Sequence, residues 1–364
     1  MEEKYLFWVL SFFLLPAIGA EFRQATFTVR GDCADSGFHS EDISALIPNH
    51  DMMECIIACM EDPYCHSLAE VESDHTCTHS NISLSSTCDP SQSVQGSKIL
   101  EKRENTLTCL NGGTLVNDTC LCEGGYVGLT CDHFATDCAE MGQYPYYAGM
   151  EGYFQIQPAL SPTPITVFCS LDSSYPMPRL YIQRHFSKSV VFNKSWSEYA
   201  EGFSFDDTNM WLGNTHQSSI TRSYTDYNLI VELAGYQWNS VKQRAYQGFR
   251  VEDETNNFIM TFQTSSPYTF PDAGDSLVHV NGSNFTTFDR DLDGIAGSHC
   301  GVLRNCGFWF TAGNKCGQSS PNGLLIQNVI EERLFIEDEV FWTYDMGIWS
   351  PWYVQMYLER PIYS

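Results

Sequence analysis

Apolar residues near the start of the chain form one short continuous run. Residues 5–15 are hydrophobic except for Ser11, and Pro16 and small residues at positions 17, 19 and 20 follow. A run of about eleven residues is too short to cross a hydrocarbon core of ~30 Å, but it suits the apolar part of a secretory signal. We therefore predict a signal peptide at residues 1–20, with its exact cleavage site open, and a secreted, extracellular protein with no membrane span.

A helical periodicity follows Pro48. The apolar positions of residues 49–60 are Met52, Met53, Ile56, Ile57 and Met60. This spacing places apolar side chains on one face of a helix, so the pattern predicts one short helix. Cys55 and Cys59, four residues apart, would share a face of that helix, from which both could be tied to neighbouring strands.

From residue 137 onwards, short alternating stretches rich in aromatic residues replace the helical pattern. Alternation with a period of two is typical of strands, and the length of residues 137–364 suits a single domain. We predict a sheet-centred α+β domain there. With 364 residues, of which 43% are hydrophobic, the chain as a whole has room for more than one domain and is predicted to be an α+β multidomain protein.

The charge balance narrows the range of partners. The protein has 19 Lys and Arg residues against 45 Asp and Glu, a formal net charge of −26. Such a protein repels phosphate backbones and anionic lipid surfaces over a Debye length of about 10 Å, so we expect no nucleic-acid partner. An acidic surface keeps a protein soluble and also attracts divalent cations, basic proteins and calcium mineral.

The 15 cysteines of an exported protein predict a disulfide framework, because thiols pair in the oxidising secretory route. An odd number leaves one sulfur for an interchain bridge or a free thiol. The cysteines fall into three groups, and since local bridges staple local units, each group indicates one module. Five Asn-x-Ser/Thr sites agree with export and predict N-glycosylation of solvated loops. They are Asn81, Asn117, Asn193, Asn281 and Asn284.

The first group of cysteines, within residues 21–100, surrounds the predicted helix. Its members are Cys33, Cys55, Cys59, Cys65, Cys77 and Cys88. Spacing alone leaves about fifteen pairings open. The pattern resembles a PAN/apple module, a kind of module that binds proteins or carbohydrates. That resemblance implies one helix on a small sheet with the nested pairs Cys33–Cys88, Cys55–Cys77 and Cys59–Cys65.

The second group lies in a glycine-rich stretch, residues 105–132. Its motifs are Cys109-Leu-Asn-Gly-Gly, Cys120-Leu-Cys122, Gly124-Gly125-Tyr126-Val127-Gly128 and Cys131. They resemble an EGF-like module, whose glycines supply turns with positive φ. Leu115 stands at the family's third cysteine and the first is also missing, so one whole bridge is absent. The resemblance implies the remaining pairs, Cys109–Cys120 and Cys122–Cys131, in a short spacer.

Ordered landmarks run through the third region. Among them are Asp137-Cys138-Ala139-Glu140, Gly152-Tyr153, Val167-Phe168-Cys169, Tyr181-Ile182-Gln183-Arg184, Phe192-Asn193, Trp211-Leu212-Gly213-Asn214 and Asn322-Gly323. Together they resemble the fibrinogen C-terminal domain over residues 137–364. The resemblance implies a fibrinogen-related recognition domain.

Two departures from the family pattern bear on its ligand pocket. The usual Gly-Gly-Trp before the Ile-Gln-Arg strand is replaced by Pro178-Arg179-Leu180, and the histidine after the last cysteine is Gly317. Both changes put the family's peptide-binding or acetyl-sugar pocket in doubt. The aromatic residues 308–310 could line a shallow pocket, but core packing is the stronger expectation because aromatic side chains bury large areas.

Alternating carboxylates occur at residues 289–297, Asp-Arg-Asp-Leu-Asp-Gly-Ile-Ala-Gly. Carboxylate and carbonyl oxygens in one turn are the ligands that Ca²⁺ prefers. An EF-hand is excluded, because Cys300 stands where the bidentate Glu should be and no helical pattern flanks the loop. By resemblance to the fibrinogen loop, calcium would be held by side chains of Asp291 and Asp293 and by the carbonyls of Ile295 and Gly297. Asp289 would not bind the ion directly; it would hydrogen-bond to the loop or to one of the calcium ligands.

Cys138–Cys169 is the first bridge that the resemblance implies for this domain. The second is ambiguous. Cys300 lies at nearly the family distance from the calcium loop, which favours Cys300–Cys316 and leaves Cys306 as the unpaired candidate. The rival pairing is Cys306–Cys316. In either case the remaining thiol is close to the loop, which suggests a disulfide-linked homodimer through that surface or a locally crowded site.

Enzyme motifs are absent from the sequence, which has no His-Glu-x-x-His, Gly-x-Ser-x-Gly or phosphate-binding glycine loop. We therefore predict a binding protein and not an enzyme. Its calcium-stabilised domain would recognise glycans or extracellular proteins, as a lectin-like or cell–matrix component. The alternative is an acidic extracellular or skeletal matrix component that binds calcium mineral or matrix proteins through many weak contacts.

Overall fold

The computed structural model divides the chain into two units, Met1–Leu107 and Thr108–Ser364. The residues that it describes are 4–7, 25–29, 43–47, 52–61, 65–71, 76–80, 97–104, 107–117, 119–175, 177–203, 206, 208–235, 241–268, 272–311, 316–325, 338–344, 347–349 and 351–361. Within these ranges, no helix combines the length and apolar character needed to cross a bilayer.

The first unit has one helix and a six-stranded antiparallel sheet. Its elements are β1 (Lys4–Phe7), β2 (Ala25–Val29), β3 (Ile43–Ile47), α1 (Met52–Glu61), β4 (Ser67–Val71), β5 (Thr76–Ser80) and β6 (Ser97–Glu104), in the sheet order β1-β2-β6-β4-β5-β3. Strand β1 lies within the predicted signal peptide. Cleavage after residue 20 would remove this edge strand and leave β2 paired with β6.

Helix α1 falls on the stretch whose periodicity predicted it and contacts β4 and β5. Ile56, Cys55 and Cys59 on this helix are buried. Disulfides join Cys55 to Cys77 on β5 and Cys59 to Cys65 ahead of β4. The expected third pair, Cys33–Cys88, lies outside the described residues.

The second unit begins with small hairpins and continues into a larger sheet. Its first elements are β7 (Thr114–Val116), β8 (Thr119–Leu121), β9 (Tyr126–Val127), β10 (His133–Phe134), α2 (Cys138–Met141), a 3₁₀ turn (Pro145–Tyr147), β11 (Glu151–Ile156), β12 (Ile165–Ser170), β13 (Arg179–His185), α3 (Trp196–Glu201), β14 (Asn209–Trp211), α4 (Asn214–Thr221), β15 (Asn228–Ala234) and β16 (Lys242–Gln247).

The remaining elements are mostly short strands and turns, followed by the long strand β25. They are β17 (Arg250–Val251), a 3₁₀ turn (Glu254–Asn256), β18 (Met260–Thr261), β19 (Thr264–Pro267), a 3₁₀ turn (Val278–Val280), β20 (Phe285–Thr286), α5 (Cys300–Leu303), β21 (Phe308–Trp309), β22 (Ser319–Ser320), β23 (Phe341–Tyr344), β24 (Gly347–Trp349) and β25 (Tyr353–Glu359). Helices and strands are mixed, as the sequence predicted for an α+β domain.

The large sheet has the order β11-β12-β13-β25-β15-β16-β19, with β14 also paired to β13. Strand β25, near the end of the described residues, therefore lies in the middle of the sheet. Tyr357 on β25 is aligned with Tyr181 on β13 and with Ile230 on β15. Five consecutive residues of β15 are buried, so side chains on both faces of this strand are covered.

The main core lies on one face of this sheet and is rich in tryptophan. Trp211, Trp309 and Trp342 are each at most 1% exposed. A buried indole N–H needs an acceptor, and each has one: Trp211 donates to the Tyr199 carbonyl at 3.2 Å, Trp309 to a carbonyl at 2.7 Å and Trp342 to another at 2.8 Å. These bonds fix the orientation of the three largest side chains in the core.

A buried ion pair closes the second unit. Arg360 Nε donates to Asp137 Oδ2 at 2.7 Å and its Nη2 donates to Oδ1 at 3.1 Å. Tyr227 Oη also donates to Oδ2 at 2.5 Å, while the N–H of Glu140 on helix α2 donates to Oδ1. The bridge thus ties the beginning of the domain to the residue that follows β25.

Arg179, one of the residues that departs from the family pattern, is buried on β13. Its Nε lies 3.5 Å from Oε1 of the fully buried Glu359, and its guanidinium lies 3.4 Å from the ring centroid of Tyr175 and 4.6 Å from that of Tyr357. Burial raises the pKa of Glu359. The substituted position is therefore occupied by a buried, aromatic-flanked ion pair.

The two small hairpins are bonded to the large sheet. Cys109–Cys120 and Cys122–Cys131 are disulfides. The N–H of Gln155 on the edge strand β11 donates to the Gly124 carbonyl at 3.2 Å. Tyr147 Oη accepts the N–H of Gly125 and donates to the Tyr126 carbonyl, both at 2.9 Å. This segment is therefore an integral part of the second unit and not a separated spacer.

Candidate metal centre

The acidic loop begins with a tight turn after β20. The backbone N–H and C=O of Thr287 pair with those of Arg290 at 3.1 and 3.2 Å. Asp289 Oδ1 accepts from Thr287 Oγ1 at 2.7 Å and from the N–H of Trp196, the first residue of α3, at 2.9 Å. Asp289 therefore anchors the turn to helix α3 through hydrogen bonds within the protein.

Asp293 is the most buried carboxylate of the loop, with 6% exposure. Its Oδ1 accepts the N–H of Ile295 and its Oδ2 accepts the N–H of Cys300, both at 2.7 Å. Asp291 is exposed, and its Oδ1 accepts the N–H of Asp293 at the longer distance of 3.4 Å. Asp293 thus stabilises the closed conformation of the loop. Asp291 has the weaker hydrogen bond, so its carboxylate oxygens are more available to bind a cation.

Three side chains meet in this loop. Donor atoms of Asp291, Asp293 and His299 all lie within 4.8 Å of one another. The sequence analysis predicted the two aspartates as ligands and missed His299. This histidine directly precedes Cys300, whose N–H donates to Asp293. Ile295 and Gly297, the predicted carbonyl ligands, lie in the same turn, where the Ile295 carbonyl is 3.4 Å from the N–H of Ser298.

The charge of the cluster suits a cation. Arg290, the nearest base in sequence, turns away: its Nη2 donates to Asn257 Oδ1 at 2.8 Å and its guanidinium lies 3.9 Å from the Trp196 ring centroid. The charges of Asp291 and Asp293 are thus not neutralised by Arg290. Because each carboxylate oxygen has more than one lone pair, Asp293 can bond the backbone and still offer oxygen to a metal. These residues therefore fit a divalent cation.

Helix α5 connects the loop to a bridged segment. The disulfide Cys300–Cys316, with Cα atoms 5.6 Å apart, starts at the first residue of α5. Cys138–Cys169 is a further disulfide of this unit. Among the cysteines in the described ranges, Cys306 is unbridged and has no exposed surface. The rival Cys306–Cys316 bridge is therefore not formed.

The environment of Cys306 argues against a disulfide-linked homodimer through this particular thiol. Its Sγ lies 3.5 Å from Ser320 Oγ, and burial raises the pKa of the thiol to about 12. A neutral thiol with no access to solvent cannot attack a partner's sulfur, because the thiolate is the reactive form. Of the two outcomes suggested for the leftover sulfur, the crowded internal site describes Cys306.

A small groove, with room for about one water molecule, lies where α5 ends. Its lining residues are Val190, Val191, Phe192, Asn305, Asn322, Gly323 and Leu324. Asn305 has a positive φ of 51° and accepts from Asn193 Nδ2 at 2.6 Å. Asn322 Nδ2 donates to the Gly307 carbonyl at 2.9 Å, which fixes the opposite wall.

The aromatic residues considered as pocket lining do not reach this groove. Phe308, Trp309 and Phe310 are at most 1% exposed and belong to the main core. The pocket interpretation of these three residues was therefore wrong, and the core interpretation was correct. Gly317, which replaces the family histidine, is buried with a φ of 102° and presents no side chain.

The predicted glycosylation sites differ in their surroundings. Asn117, Asn193 and Asn281 are exposed, and Asn193 Nδ2 donates to Asn305 Oδ1 at 2.6 Å. Asn281 uses both ends of its amide on the backbone of Phe262, at 3.0 and 2.9 Å. Asn284 is followed by the fully buried Phe285 and Thr286. Asn81 lies outside the described residues. Asn117 therefore has the geometry expected of a glycan carrier, whereas the amide nitrogens of Asn193 and Asn281 are engaged in hydrogen bonds.

Comparison with known proteins identifies the second unit. Residues 134–360 match the family described as fibrinogen beta and gamma chains, C-terminal globular domain. Fibrinogen-like protein 1 of Bos taurus is 32% identical over 51% of this chain, and the match spans 60% of that relative's length. Microfibril-associated glycoprotein 4 of Bos taurus is 28% identical over 56% of this chain and 77% of its own. The fibrinogen-like globe domain of human ANGPTL6 superposes with a TM-score of 0.54 at 27% identity, covering 63% of this chain and 96% of that domain.

Proposed function

Because the protein belongs to the family of fibrinogen C-terminal globular domains, we propose that it is a secreted recognition protein that binds glycans or extracellular proteins without catalysis. The N-terminal unit would be a PAN/apple-like module at residues 21–100, supported by its helix on a disulfide-bridged sheet. Residues 105–132 would be an EGF-like module with two bridges.

The observation that carries the proposal is the short path between the acidic loop and the groove. Asp293 Oδ2 accepts the N–H of Cys300, the first residue of α5, at 2.7 Å. The helix ends at Leu303, and Asn305 already lines the groove. A cation on Asp291 and Asp293 would therefore hold α5 in place and order the groove for its ligand.

We propose calcium as that cation. Two carboxylates together with the turn carbonyls of Ile295 and Gly297 are the hard oxygen donors that Ca²⁺ takes, usually six to eight in number at about 2.4 Å. Gly294 and Gly297 have φ values of 74° and 81°, which let the backbone form a tight turn around the carboxylates. Calcium would stabilise the loop; the groove would bind the ligand.

A second candidate function rests on the net charge of −26. An acidic extracellular or skeletal matrix component would adsorb to calcium mineral or basic matrix proteins through many weak contacts. Such binding would be weakened by salt and would not depend on the shape of one groove. The similarity to microfibril-associated glycoprotein 4 also supports a place among matrix proteins.

Binding of the protein to arrays of glycans and of extracellular proteins, measured in calcium and in chelator, distinguishes the recognition function from the matrix function. Val191→Arg places a charge in the groove at a side chain that is 53% exposed, and Val302→Arg is the matched control on α5, at 58% exposure and outside the groove lining. Recognition predicts discrete, calcium-dependent ligands that Val191→Arg loses and Val302→Arg keeps. Adsorption to calcium mineral alone, abolished by salt and equal in all three proteins, would reject recognition in favour of the matrix role.

A further inference from the structure

His299 is an imidazole beside two carboxylates. It precedes α5, where its ring makes no capping hydrogen bond. Its Nδ1 is buried and has no hydrogen-bond partner among the described residues. Buried polar atoms usually have a partner. One nitrogen of the same ring lies within 4.8 Å of carboxylate oxygens of Asp291 and Asp293, so the two observations together point to a ligand at this imidazole.

The backbone on both sides of this ring is fixed. The His299 carbonyl accepts the N–H of Val302 at 3.1 Å and that of Leu303 at 2.9 Å. The next residue, Cys300, donates its N–H to Asp293 and is bridged to Cys316. The 2.7 Å hydrogen bond from Cys300 to Asp293 keeps the backbone next to His299 close to that carboxylate. The disulfide to Cys316 anchors Cys300 in turn.

The donor set is not one that calcium alone would use. Ca²⁺ takes oxygen ligands, whereas an imidazole nitrogen with carboxylates suits Zn²⁺ and other first-row divalent cations. A site of two carboxylates and one histidine also leaves positions open for water or a ligand group.

We infer that His299 makes the acidic loop a site for a nitrogen-seeking divalent cation, Zn²⁺ in particular, which competes there with calcium. The inference rests on the proposed cation-binding role of the same loop. Zinc would be held by Asp291, Asp293 and His299, while calcium would use the two aspartates and the turn carbonyls. Either ion would fix α5 through Asp293, so zinc could take the place of calcium in ordering the loop.

Isothermal titration of the chelator-treated full-length protein with ZnCl₂ and with CaCl₂ tests this. The variants are His299→Ala, Asp291→Asn and a control, His279→Ala, at an exposed histidine outside the loop. Loss of a direct ligand should cost more than the tenfold to hundredfold typical of supporting residues, so we expect His299→Ala to weaken zinc by about 100-fold or more and calcium by less than about threefold. Co²⁺ bound in place of zinc should show visible absorption that His299→Ala removes.

The outcomes separate the two levels of the proposal. Unchanged zinc affinity in His299→Ala, with calcium lost in Asp291→Asn, overturns the role of His299 and leaves the calcium loop standing. Equal loss of both ions in His299→Ala would also overturn it, because the histidine would then only support the fold. Binding of neither ion by the wild type would reject the loop itself. Melting of every variant in chelator verifies that each is folded.

Discussion

The carboxylate of Asp293 and the backbone N–H of Cys300 are joined by a hydrogen bond of 2.7 Å across the acidic loop. Asp293 also accepts the N–H of Ile295, so one side chain satisfies two backbone donors. The neighbouring Asp291 makes one long bond of 3.4 Å. The two aspartates therefore have separable tasks.

Asp293→Asn should destabilise the cation-free protein, because the amide –NH₂ would face a backbone N–H and leave it without an acceptor. A buried donor left unsatisfied costs about 1–3 kcal/mol. Asp291→Asn should change the free energy of unfolding by less than about 0.5 kcal/mol, as exposed sites usually do. Urea unfolding in chelator measures both. Equal effects of the two substitutions would contradict the division of tasks.

Gly125→Ala should loosen the small disulfide segment from the large sheet. A Cβ at Gly125 would overlap the Gln155 carbonyl oxygen, and the φ of 105° is strained for any other residue. Gly124→Ala is the matched control, because its φ is 69° and nothing lies within 4 Å of the added carbon. We expect a loss of more than about 2 kcal/mol for Gly125→Ala and roughly 1 kcal/mol for Gly124→Ala, in urea unfolding. A larger loss at Gly124 would refute the docking contact.

Cys306 should be unreactive in the folded protein. Its thiol has no exposed surface and burial raises its pKa to about 12, so Ellman's reagent at pH 8 should find it only after denaturation. Cys306→Ser should remove that signal and leave migration on non-reducing gels unchanged. A dimer band in the wild type that disappears in Cys306→Ser would show that the thiol reaches a second molecule.

His185 should make the domain sensitive to acid. Burial lowers the pKa of its imidazole to about 4, and the ring stacks on Phe192 at 4.2 Å beside the groove. The unfolded protein, in which the imidazole has a pKa near 6.5, takes up the proton first, so stability falls as the pH drops from about 6.5 to about 4. Between pH 7 and pH 5 the wild type should lose roughly 2 kcal/mol more than His185→Gln, by urea unfolding. Parallel losses in the two proteins would exclude His185 as the cause.

Local patterns in the sequence predicted what local physics decides. The stripe of apolar residues ahead of Met60 gave a helix, Met52–Glu61, and the alternation after residue 137 gave a sheet. Asp291 and Asp293 could be paired from sequence because they share one short turn. In each case a few neighbouring residues are enough to fix the geometry.

Long-range relationships could not be predicted in this way. The placement of β25 between β13 and β15, and the bond from Arg360 to Asp137, join residues far apart in the sequence. His299 was missed because its proximity to Asp293 depends on the hydrogen bond from Cys300 to Asp293, which folds the loop back on itself. Residues 308–310 were ambiguous, since a run of aromatic residues has the same pattern in a core as in a pocket wall.

The most direct test of the account is thermal melting of the purified protein with CaCl₂ and with chelator, for the wild type and Asp291→Asn. A cation bound to the folded loop alone stabilises by mass action, so calcium at about 100 times its dissociation constant should add about 2.7 kcal/mol and raise the melting temperature by several degrees. Asp291→Asn should melt like the wild type in chelator and gain little from calcium. A wild type whose melting temperature is the same in calcium and in chelator would contradict a cation-stabilised recognition domain.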